Sequence, residues 1–219
     1  MVMSIVDLIF PKMCVGCRKE GDYICEGCSK KLNRPTPMCP MCCEPSLDGW
    51  VHTRCKTRYG MDRLIISLPY KGLVQDCLKK VKYKSAWDVI QFLYNKSGIL
   101  DIGEGMITSV PMWSEKERKR GFNQAQMIGE LVTNNYKVQY FVMLERIRKT
   151  RPMYGLNKEQ RISNIEGAFK ITNQHTNKLT EQRVILVDDV WTTGATMREC
   201  AKVLKKVGIR EVWGVALAR

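Results

Sequence analysis

One segment near the C-terminal end of the sequence restricts the fold more than any other. Residues 184–187 form an uninterrupted apolar run, VILV, as expected for a central parallel strand that is buried on both faces. Asp188 and Asp189 follow, then the turn TTGAT, then apolar residues at helical spacing as far as Gly208. A further apolar run at residues 212–217 completes a strand–helix–strand unit with short connections. The sequence therefore predicts an α/β fold with a parallel sheet.

The turn after this strand has the composition of a phosphate site. Its backbone N–H groups and three hydroxyls can surround a phosphate dianion, and the N-terminus of the following helix adds a favourable partial charge. The absence of a side chain at Gly194 lets the backbone approach the phosphate oxygens. The two preceding carboxylates are placed to accept hydrogen bonds from a pair of sugar hydroxyls. We predict a ribose 5-phosphate site at Asp188, Asp189, Thr192, Thr193, Gly194, Ala195 and Thr196.

Two other interpretations of the acidic pair are a structural pair that ends a buried strand and a metal-binding pair. Neither of them explains why a phosphate-type turn follows directly. The sugar phosphate interpretation accounts for both parts of the segment, and we therefore prefer it.

The cysteines are concentrated near the N-terminus, where eight of the ten lie between Cys14 and Cys55. The sequence shows no export signal, so paired C-x-x-C units indicate a metal site and not disulfides. In zinc knuckles, each such pair presents two thiolates to one tetrahedral ion. The first predicted zinc set is Cys14, Cys17, Cys25 and Cys28.

A second predicted zinc set consists of Cys39, Cys42, His52 and Cys55, with Cys43 as a spare thiol. His52 stands where a cysteine would complete a fourth pair, and it can also be read as an ordinary loop histidine. Redox chemistry is a further alternative, but several pairs in a row favour structural zinc over one reactive couple. Zinc modules contact nucleic acids or proteins, or only fold the chain, so this one does not identify a partner.

The sequence is strongly basic, with 36 Lys and Arg residues against 22 Asp and Glu residues and a formal net charge of +14. Such a charge favours a polyanionic partner, either a nucleic acid or a pyrophosphate-bearing ligand, although much of it can also be solvated surface. The aromatic residues are not interleaved as in a base-stacking platform. We predict weak, non-specific binding of single-stranded nucleic acid through Lys79, Lys82, Lys84, Arg118, Lys119 and Arg120.

The composition and the apolar pattern of the sequence change near residue 60. This change predicts a cysteine-rich module at residues 1–60 and an α/β domain at residues 61–219. No apolar window approaches the roughly 18–20 residues that span a bilayer. The apolar start at residues 1–10 lacks a basic flank and reads as a short amphipathic helix, not a signal peptide, so we expect a cytoplasmic location. Further expectations are strands at residues 64–70, 106–110 and 138–144, a helix at residues 122–132 and a long mobile loop at residues 148–166.

Several short motifs follow the cysteine module along the chain. They are Tyr70-x-Gly72, Leu78-Lys79, Lys82-Tyr83, Val110-Pro111, RGFNQ at residues 120–124, Asn164, Gly167-Ala168-Phe169 and VDDVWTTGAT at residues 187–196. Taken together, they resemble the ComF family (ComFC/GntX-like competence proteins), whose Rossmann-like domain has the type I phosphoribosyltransferase fold and follows an N-terminal zinc finger. The departure from the family pattern is His52, which stands where a cysteine is usual.

The resemblance implies that the acidic pair and the TTGAT turn bind phosphoribosyl pyrophosphate (PRPP). It places the pyrophosphate near Val110, Pro111, Arg118 and Arg120, with Mg²⁺ bridging the pyrophosphate oxygens. The reaction of such enzymes passes through an oxocarbenium-like state and needs charge stabilisation on the leaving group, so no catalytic nucleophile is required. The resemblance also implies a cytosolic role in natural transformation, with single-stranded DNA and a ComFA-type helicase as partners.

Two functional classes stay open at this point. One is an enzyme that transfers phosphoribose to an unidentified acceptor, and the other is a binding module that uses the same fold as a scaffold for DNA or a partner protein. The last predicted strand leaves no C-terminal segment to cover the site, so we expect any cover to come from residues 64–100, where no base-reading pattern is evident.

Overall fold

The fold is seen in a computed structural model that describes residues 11–80, 86–98, 102–136, 138–153, 155–172 and 183–219. The predicted helix at residues 1–10 and the predicted nucleic-acid contacts of Lys82 and Lys84 lie outside these ranges. Among the helices of the described part, none is long and apolar enough to cross a membrane.

The strands form two sheets, and the larger one confirms the predicted parallel α/β fold. The strands are β1 (Arg63–Leu68), β2 (Met106–Ser109), β3 (Gln139–Tyr140), β4 (Leu144–Arg146), β5 (Phe169–Ile171), β6 (Arg183–Val190) and β7 (Glu211–Ala218). Five strands pair in the order β1-β7-β6-β2-β3, all parallel, while β4 and β5 form a separate antiparallel ribbon.

Helices cover both faces of the larger sheet, which explains the unbroken apolar run of β6. The helices are α1 (Glu26–Ser29), α2 (Leu73–Lys80), α3 (Ala86–Ser97), α4 (Ser114–Arg120), α5 (Gln124–Tyr136), α6 (Lys158–Ile165) and α7 (Ala195–Lys206), with 3₁₀ turns at Leu47–Gly49 and Thr53–Cys55. Ile185 and Val187 pack on the side of α3 and α5, and Val184 and Leu186 pack on the side of α7; all four are fully buried.

The predicted strand at residues 138–144 is interrupted in the structure. Gln139–Tyr140 extends the parallel sheet as β3, whereas Leu144 begins β4 in the antiparallel ribbon. Between them, the Met143 amide donates to the Thr108 hydroxyl at 3.3 Å, outside any strand ladder. The chain therefore leaves one sheet and enters the other within a few residues.

The prediction of an irregular loop at residues 148–166 was wrong for Lys158–Ile165, which form α6. A capping box begins this helix, because Asn157 Oδ1 accepts from the Gln160 amide at 2.8 Å and Gln160 Oε1 accepts from the Asn157 amide at 2.9 Å. The N-x-x-Q pattern that produces this cap was present in the sequence.

Both parts of the N-terminal cysteine module pack against the α/β domain. Its first part contacts α3, where Lys12 Nζ and the Tyr23 hydroxyl lie 2.8 and 2.9 Å from Asp88 Oδ2. Its second part contacts the β1 edge of the sheet, where the Trp50 and Trp213 rings meet edge to face at 5.1 Å. The division of the chain at residue 60 stays a prediction.

Candidate functional site

A cavity of about 400 Å³ lies at the carboxyl ends of β2 and β6. The connection after β2 leads through α5 to β3, and the connection after β6 leads through α7 to β7 on the other side, so the crossovers diverge here. Such a switch point is where open parallel sheets bind ligands. The predicted site residues that line the cavity are Val110, Pro111, Arg120, Asp188, Asp189, Thr192 and Thr196.

The acidic pair occupies the last part of β6, since Asp188 still pairs with Ala216 in the sheet. Each carboxylate accepts a hydrogen bond from the next backbone amide, at 2.9 Å for Asp188 and 2.8 Å for Asp189, and these bonds fix both orientations. Burial, followed by the charge of Asp189, raises the pKa of Asp188 well above its usual range. The nearby cation of Arg146 acts in the opposite direction.

The phosphate-type turn is built around Gly194, which adopts a left-handed conformation with φ of 76°. A Cβ atom at this position would lie 2.1 Å from the ring of the buried Trp191. The glycine is therefore required by the packing of the turn against Trp191, a reason that the sequence prediction, based on phosphate approach alone, had missed. Because Gly194 is also the N-cap of α7, no side chain of that residue satisfies the first amides of the helix.

The threonines of the turn divide into two groups. Thr192 and Thr196 line the cavity, while the Thr193 hydroxyl lies 3.5 Å from the Ala195 amide. From α6, the Arg161 guanidinium donates to the Thr192 hydroxyl at 3.2 Å. Apart from the Thr193 contact, no cap residue satisfies the first turn of α7, and together with the two cavity-lining threonines this turn gives a concentrated set of donors for an anion.

The opposite wall of the cavity begins at Val110, directly after the end of β2. Asn123 ties this strand end to α5, because its Nδ2 donates to the Val110 carbonyl and its Oδ1 accepts from the Ala125 amide, both at 3.1 Å. Asn123 is the asparagine of the RGFNQ motif, and these two hydrogen bonds give its buried side chain a structural role. The wall is thus fixed by a hydrogen-bonded side chain and not by loop packing alone.

The predicted pyrophosphate arginines are placed differently. Arg120 lines the cavity and donates to Gln124 Oε1, whereas Arg118 is exposed and is not among the lining residues. Lys116, one helical turn before Arg120, also lines the cavity. The geometry brings Lys116 to the site in place of Arg118.

Sequence reasoning did not assign Arg146 to the site, yet this β4 residue lines the cavity. Its guanidinium lies 5.5 Å from the centre of the Phe169 ring and donates to the Thr150 hydroxyl, and its buried Nε has no partner among the described residues. Burial lowers the pKa of Arg146, and the charge of Asp188 acts against that shift. The only signal in the sequence was the basic run at residues 146–151.

Tyr70 and Met153 also line the cavity, and sequence reasoning did not assign them to the site.

The cysteine module contains two sets of metal-ligating side chains, whose ligand atoms lie within 4.8 Å of one another in each set. The sets are Cys14, Cys17, Cys25 and Cys28, and Cys39, Cys42, His52 and Cys55, as predicted. Sulfur and imidazole in sets of four suit tetrahedral zinc.

The two knuckles repeat one backbone arrangement. The residue after the second cysteine is left-handed in both, with φ of 65° at Arg18 and 67° at Cys43. The first cysteine amide donates across the turn in both, from Cys14 to Lys19 and from Cys39 to Glu44, each at 2.9 Å. The repeat is one of backbone conformation, because the sequences of the two knuckles share only their C-x-x-C pairs.

His52 is oriented for metal binding and is not a free loop histidine. Its Nε2 lies 3.0 Å from the Pro45 carbonyl and its Nδ1 lies 3.4 Å from Cys42 Sγ. A hydrogen bond from Nε2–H to the carbonyl leaves the Nδ1 lone pair facing the thiolates, which is the usual support of a histidine ligand. Cys43 lies outside the set, and its sulfur accepts from Arg198 at 3.0 Å.

Comparisons with known proteins agree with both parts of this description. The phosphoribosyl transferase domain family matches residues 126–219, and the double zinc ribbon domain family matches residues 5–56. The fold, the cysteine sets and these two matches therefore define a phosphoribosyltransferase-type domain joined to a double zinc ribbon, whose ligand sets fit structural zinc.

Over 94% of its length the chain resembles the ComF family of competence proteins, which confirms the resemblance predicted from its motifs. Competence protein F of Haemophilus influenzae is 27% identical over 94% of this chain and 96% of that protein. Competence protein ComFC of Bacillus subtilis is 25% identical over 87% of this chain and 81% of that protein. The DNA utilization protein YhgH of Escherichia coli is 24% identical, covering 94% of this chain and 97% of that protein.

Among solved structures, a glutamine PRPP amidotransferase from B. subtilis aligns at 15% identity and a TM-score of 0.39. The alignment covers 91% of this chain and 33% of the amidotransferase chain.

Proposed function

We propose that the chain binds PRPP in the cavity at the carboxyl ends of β2 and β6 and transfers its phosphoribosyl group to an acceptor that is still to be identified. The observation that carries the proposal is that an acidic pair, an uncapped phosphate turn and cationic side chains all open onto one cavity. The ribose hydroxyls would bind Asp188 and Asp189, and the 5-phosphate would bind the turn from Thr192 to Thr196. The pyrophosphate would then lie towards Pro111 and Arg120.

The chemistry requires stabilisation of the negative charge that develops on the leaving pyrophosphate. Arg120, Lys116 and Arg146 are the cations of the cavity that can supply it. Mg²⁺, which prefers oxygen ligands, would neutralise part of the same charge, and the carboxylates of Asp188 and Asp189 provide oxygens at this site. The fixed orientation of both carboxylates would hold the ribose ring while the bond from C1 to pyrophosphate breaks and the acceptor forms a new bond to C1. The acceptor is the nucleophile, so none is needed from the protein.

Calorimetry with PRPP and Mg²⁺ tests binding, and release of pyrophosphate in the presence of candidate acceptors, including single-stranded DNA, tests transfer. We expect saturable binding at one site per chain and acceptor-dependent release. Binding without release for every acceptor would favour the scaffold function, and the absence of any PRPP binding would refute the proposal.

The relatives named for competence and DNA utilization support a role in natural transformation and DNA uptake. In this proposal the chain acts in the cytosol on incoming single-stranded DNA, beside a helicase of the ComFA type. Co-purification of the tagged chain with such a helicase from competent cells tests this part independently of PRPP binding.

A second candidate function is sequence-independent binding of single-stranded DNA. It is favoured by two exposed basic side chains of α4, those of Arg118 and Lys119. Contacts with phosphates release counterions, so affinity should fall steeply with salt. We expect Arg118→Ala to weaken binding similarly on all sequences and to reduce the slope of log affinity against log salt by about 0.7. The exposed Arg210, at the opposite end of the sheet, provides the control variant Arg210→Ala. Equal slopes for the wild type and Arg118→Ala would exclude Arg118 from the DNA contact.

A further inference from the structure

One side chain, that of Arg198, connects the second zinc knuckle to the phosphate turn. Arg198 lies in the first turns of α7, and its guanidinium makes three hydrogen bonds. Nε donates to the Pro40 carbonyl at 2.6 Å, one terminal nitrogen donates to the Thr193 carbonyl at 2.8 Å, and the other donates to Cys43 Sγ at 3.0 Å. The same group lies 5.2 Å from the centre of the Trp191 ring.

These contacts hold the turn from two directions. The Thr193 carbonyl belongs to the turn itself, and the Trp191 ring is the surface on which Gly194 packs. On the other side, Pro40 lies between the zinc ligands Cys39 and Cys42, so its carbonyl is fixed once the knuckle is closed around a metal. A planar guanidinium joins such groups with little loss of conformational freedom, which a lysine ammonium does not reproduce.

We propose that Arg198 is a positioning residue, which uses the second zinc knuckle as a fixed support to hold the phosphate turn in its binding conformation. The second zinc set therefore contributes to ligand binding, beyond folding its own segment. This inference rests on the proposed PRPP site and concerns only the part that binds the 5-phosphate.

In the described part of the chain, the first zinc set is not connected to the phosphate turn as the second one is, and it therefore serves as an internal reference. Its knuckle packs against α2 and α3, where Gly16 lies against the Leu73 side chain and Tyr23 binds Asp88. These helices cover the sheet face opposite α7. Loss of the first zinc should thus disturb the phosphate turn less than loss of the second.

Calorimetry with two fragments of PRPP tests the role of Arg198. Ribose 5-phosphate probes the turn, and pyrophosphate probes the wall at Pro111 and Arg120. We expect Arg198→Met to lower the affinity for ribose 5-phosphate about tenfold and to leave the affinity for pyrophosphate within about twofold, with Arg198→Lys recovering only part of the loss. The control is Arg210→Met, which removes an exposed arginine of equal charge and should change neither affinity.

A selective loss separates positioning from general destabilisation, because a partly unfolded variant would lose both ligands together. Equal affinities of Arg198→Met and the wild type for ribose 5-phosphate would overturn the inference, and so would a parallel loss of both ligands. If the wild type bound neither fragment, the proposed PRPP site itself would be refuted, which is a distinguishable result.

The zinc sets are compared through one ligand from each, in Cys55→Ser and Cys28→Ser, with zinc content measured on the same samples. We expect both variants to lose one zinc ion and Cys55→Ser to lose more affinity for ribose 5-phosphate. A larger loss in Cys28→Ser would contradict the inference. Should Cys55→Ser fail to fold, the Arg198 variants still decide the question.

Discussion

Removal of zinc is expected to unfold residues 14–55 while the parallel sheet stays folded. The knuckles contain few buried apolar side chains, chiefly Ile24 and Met38 beside the cysteines, so packing alone cannot hold this segment. Structural zinc contributes roughly 10–16 kcal/mol of apparent binding energy in small modules, which is far more than such a core supplies. The bound metal is therefore the main source of stability for the module.

Metal analysis should find two zinc ions per chain in protein prepared without chelator. After addition of a chelator, limited proteolysis should cut within residues 14–55 first, and the sheet should melt at a lower temperature, because the module packs against Asp88 and Trp213. Cys14→Ser should lower zinc content and yield. Cys200→Ala, which changes a buried cysteine outside both sets, should retain both ions. Protein free of zinc in the absence of any chelator would contradict the assignment of both sets.

The elements that sequence reasoning located best are those whose signal is local. Strand β6 was visible because its residues are buried on both faces, which leaves an apolar run without alternation. The acidic pair and the TTGAT turn follow within a few positions, so neither required knowledge of the tertiary structure. Both zinc sets were visible for the same reason, since each C-x-x-C pair lies within a single turn.

The residues that were missed reach their places through long-range packing. Arg198 contacts Pro40 and Cys43, more than 150 positions away, and nothing near it in the sequence distinguishes it from a solvated arginine. Arg146 joins the cavity because β4 leaves the main sheet, a change of direction that an apolar run cannot reveal. Periodicity identifies which face of an element is buried, but it does not identify the partner that covers that face.

His52 shows how geometry decides between two readings that the sequence left open. The spacing predicted a zinc ligand at this position and left an ordinary loop histidine open as the alternative. The Pro45 carbonyl, which accepts from Nε2, orients the ring towards Cys42. This hydrogen bond comes from a backbone carbonyl, so no pattern of side chains in the sequence could have predicted it.

Replacement of either carboxylate of the acidic pair is expected to cause the largest loss of PRPP binding. Asp189→Asn keeps the shape of the side chain but removes a charged acceptor, and hydrogen bonds to charged groups contribute about 1.5–3 kcal/mol. The affinity for PRPP should therefore fall roughly 10–150-fold. The asparagine oxygen can still accept from the Val190 amide, so the local backbone should be retained. Calorimetry with Mg²⁺ present measures the change, and unaltered binding would remove Asp189 from the site.

Asp188→Asn should combine that loss of affinity with a gain in stability at neutral pH. The pKa of Asp188 in the folded protein lies well above its ordinary value of 3.8, first because of burial and then because of Asp189. The folded state thus binds more protons than the unfolded state between these two pKa values, and stability falls as the pH rises through that interval. Above it, the ionised carboxylate destabilises the fold, and a neutral asparagine relieves this cost.

The melting temperature of Asp188→Asn at pH 7 should therefore exceed that of the wild type, by about 2–4 °C for each kcal/mol relieved. The difference should shrink as the pH is lowered towards 3.8, because the carboxyl is then protonated in the folded wild type and becomes protonated in the unfolded chain as well. Asp48→Asn, at an exposed position away from the cavity, should change neither the melting temperature nor PRPP affinity. A variant Asp188→Asn that melts below the wild type at pH 7 and binds PRPP normally would show that Asp188 is a structural residue. A higher melting temperature together with weakened binding would show that the fold retains a destabilising carboxylate because the ligand requires it.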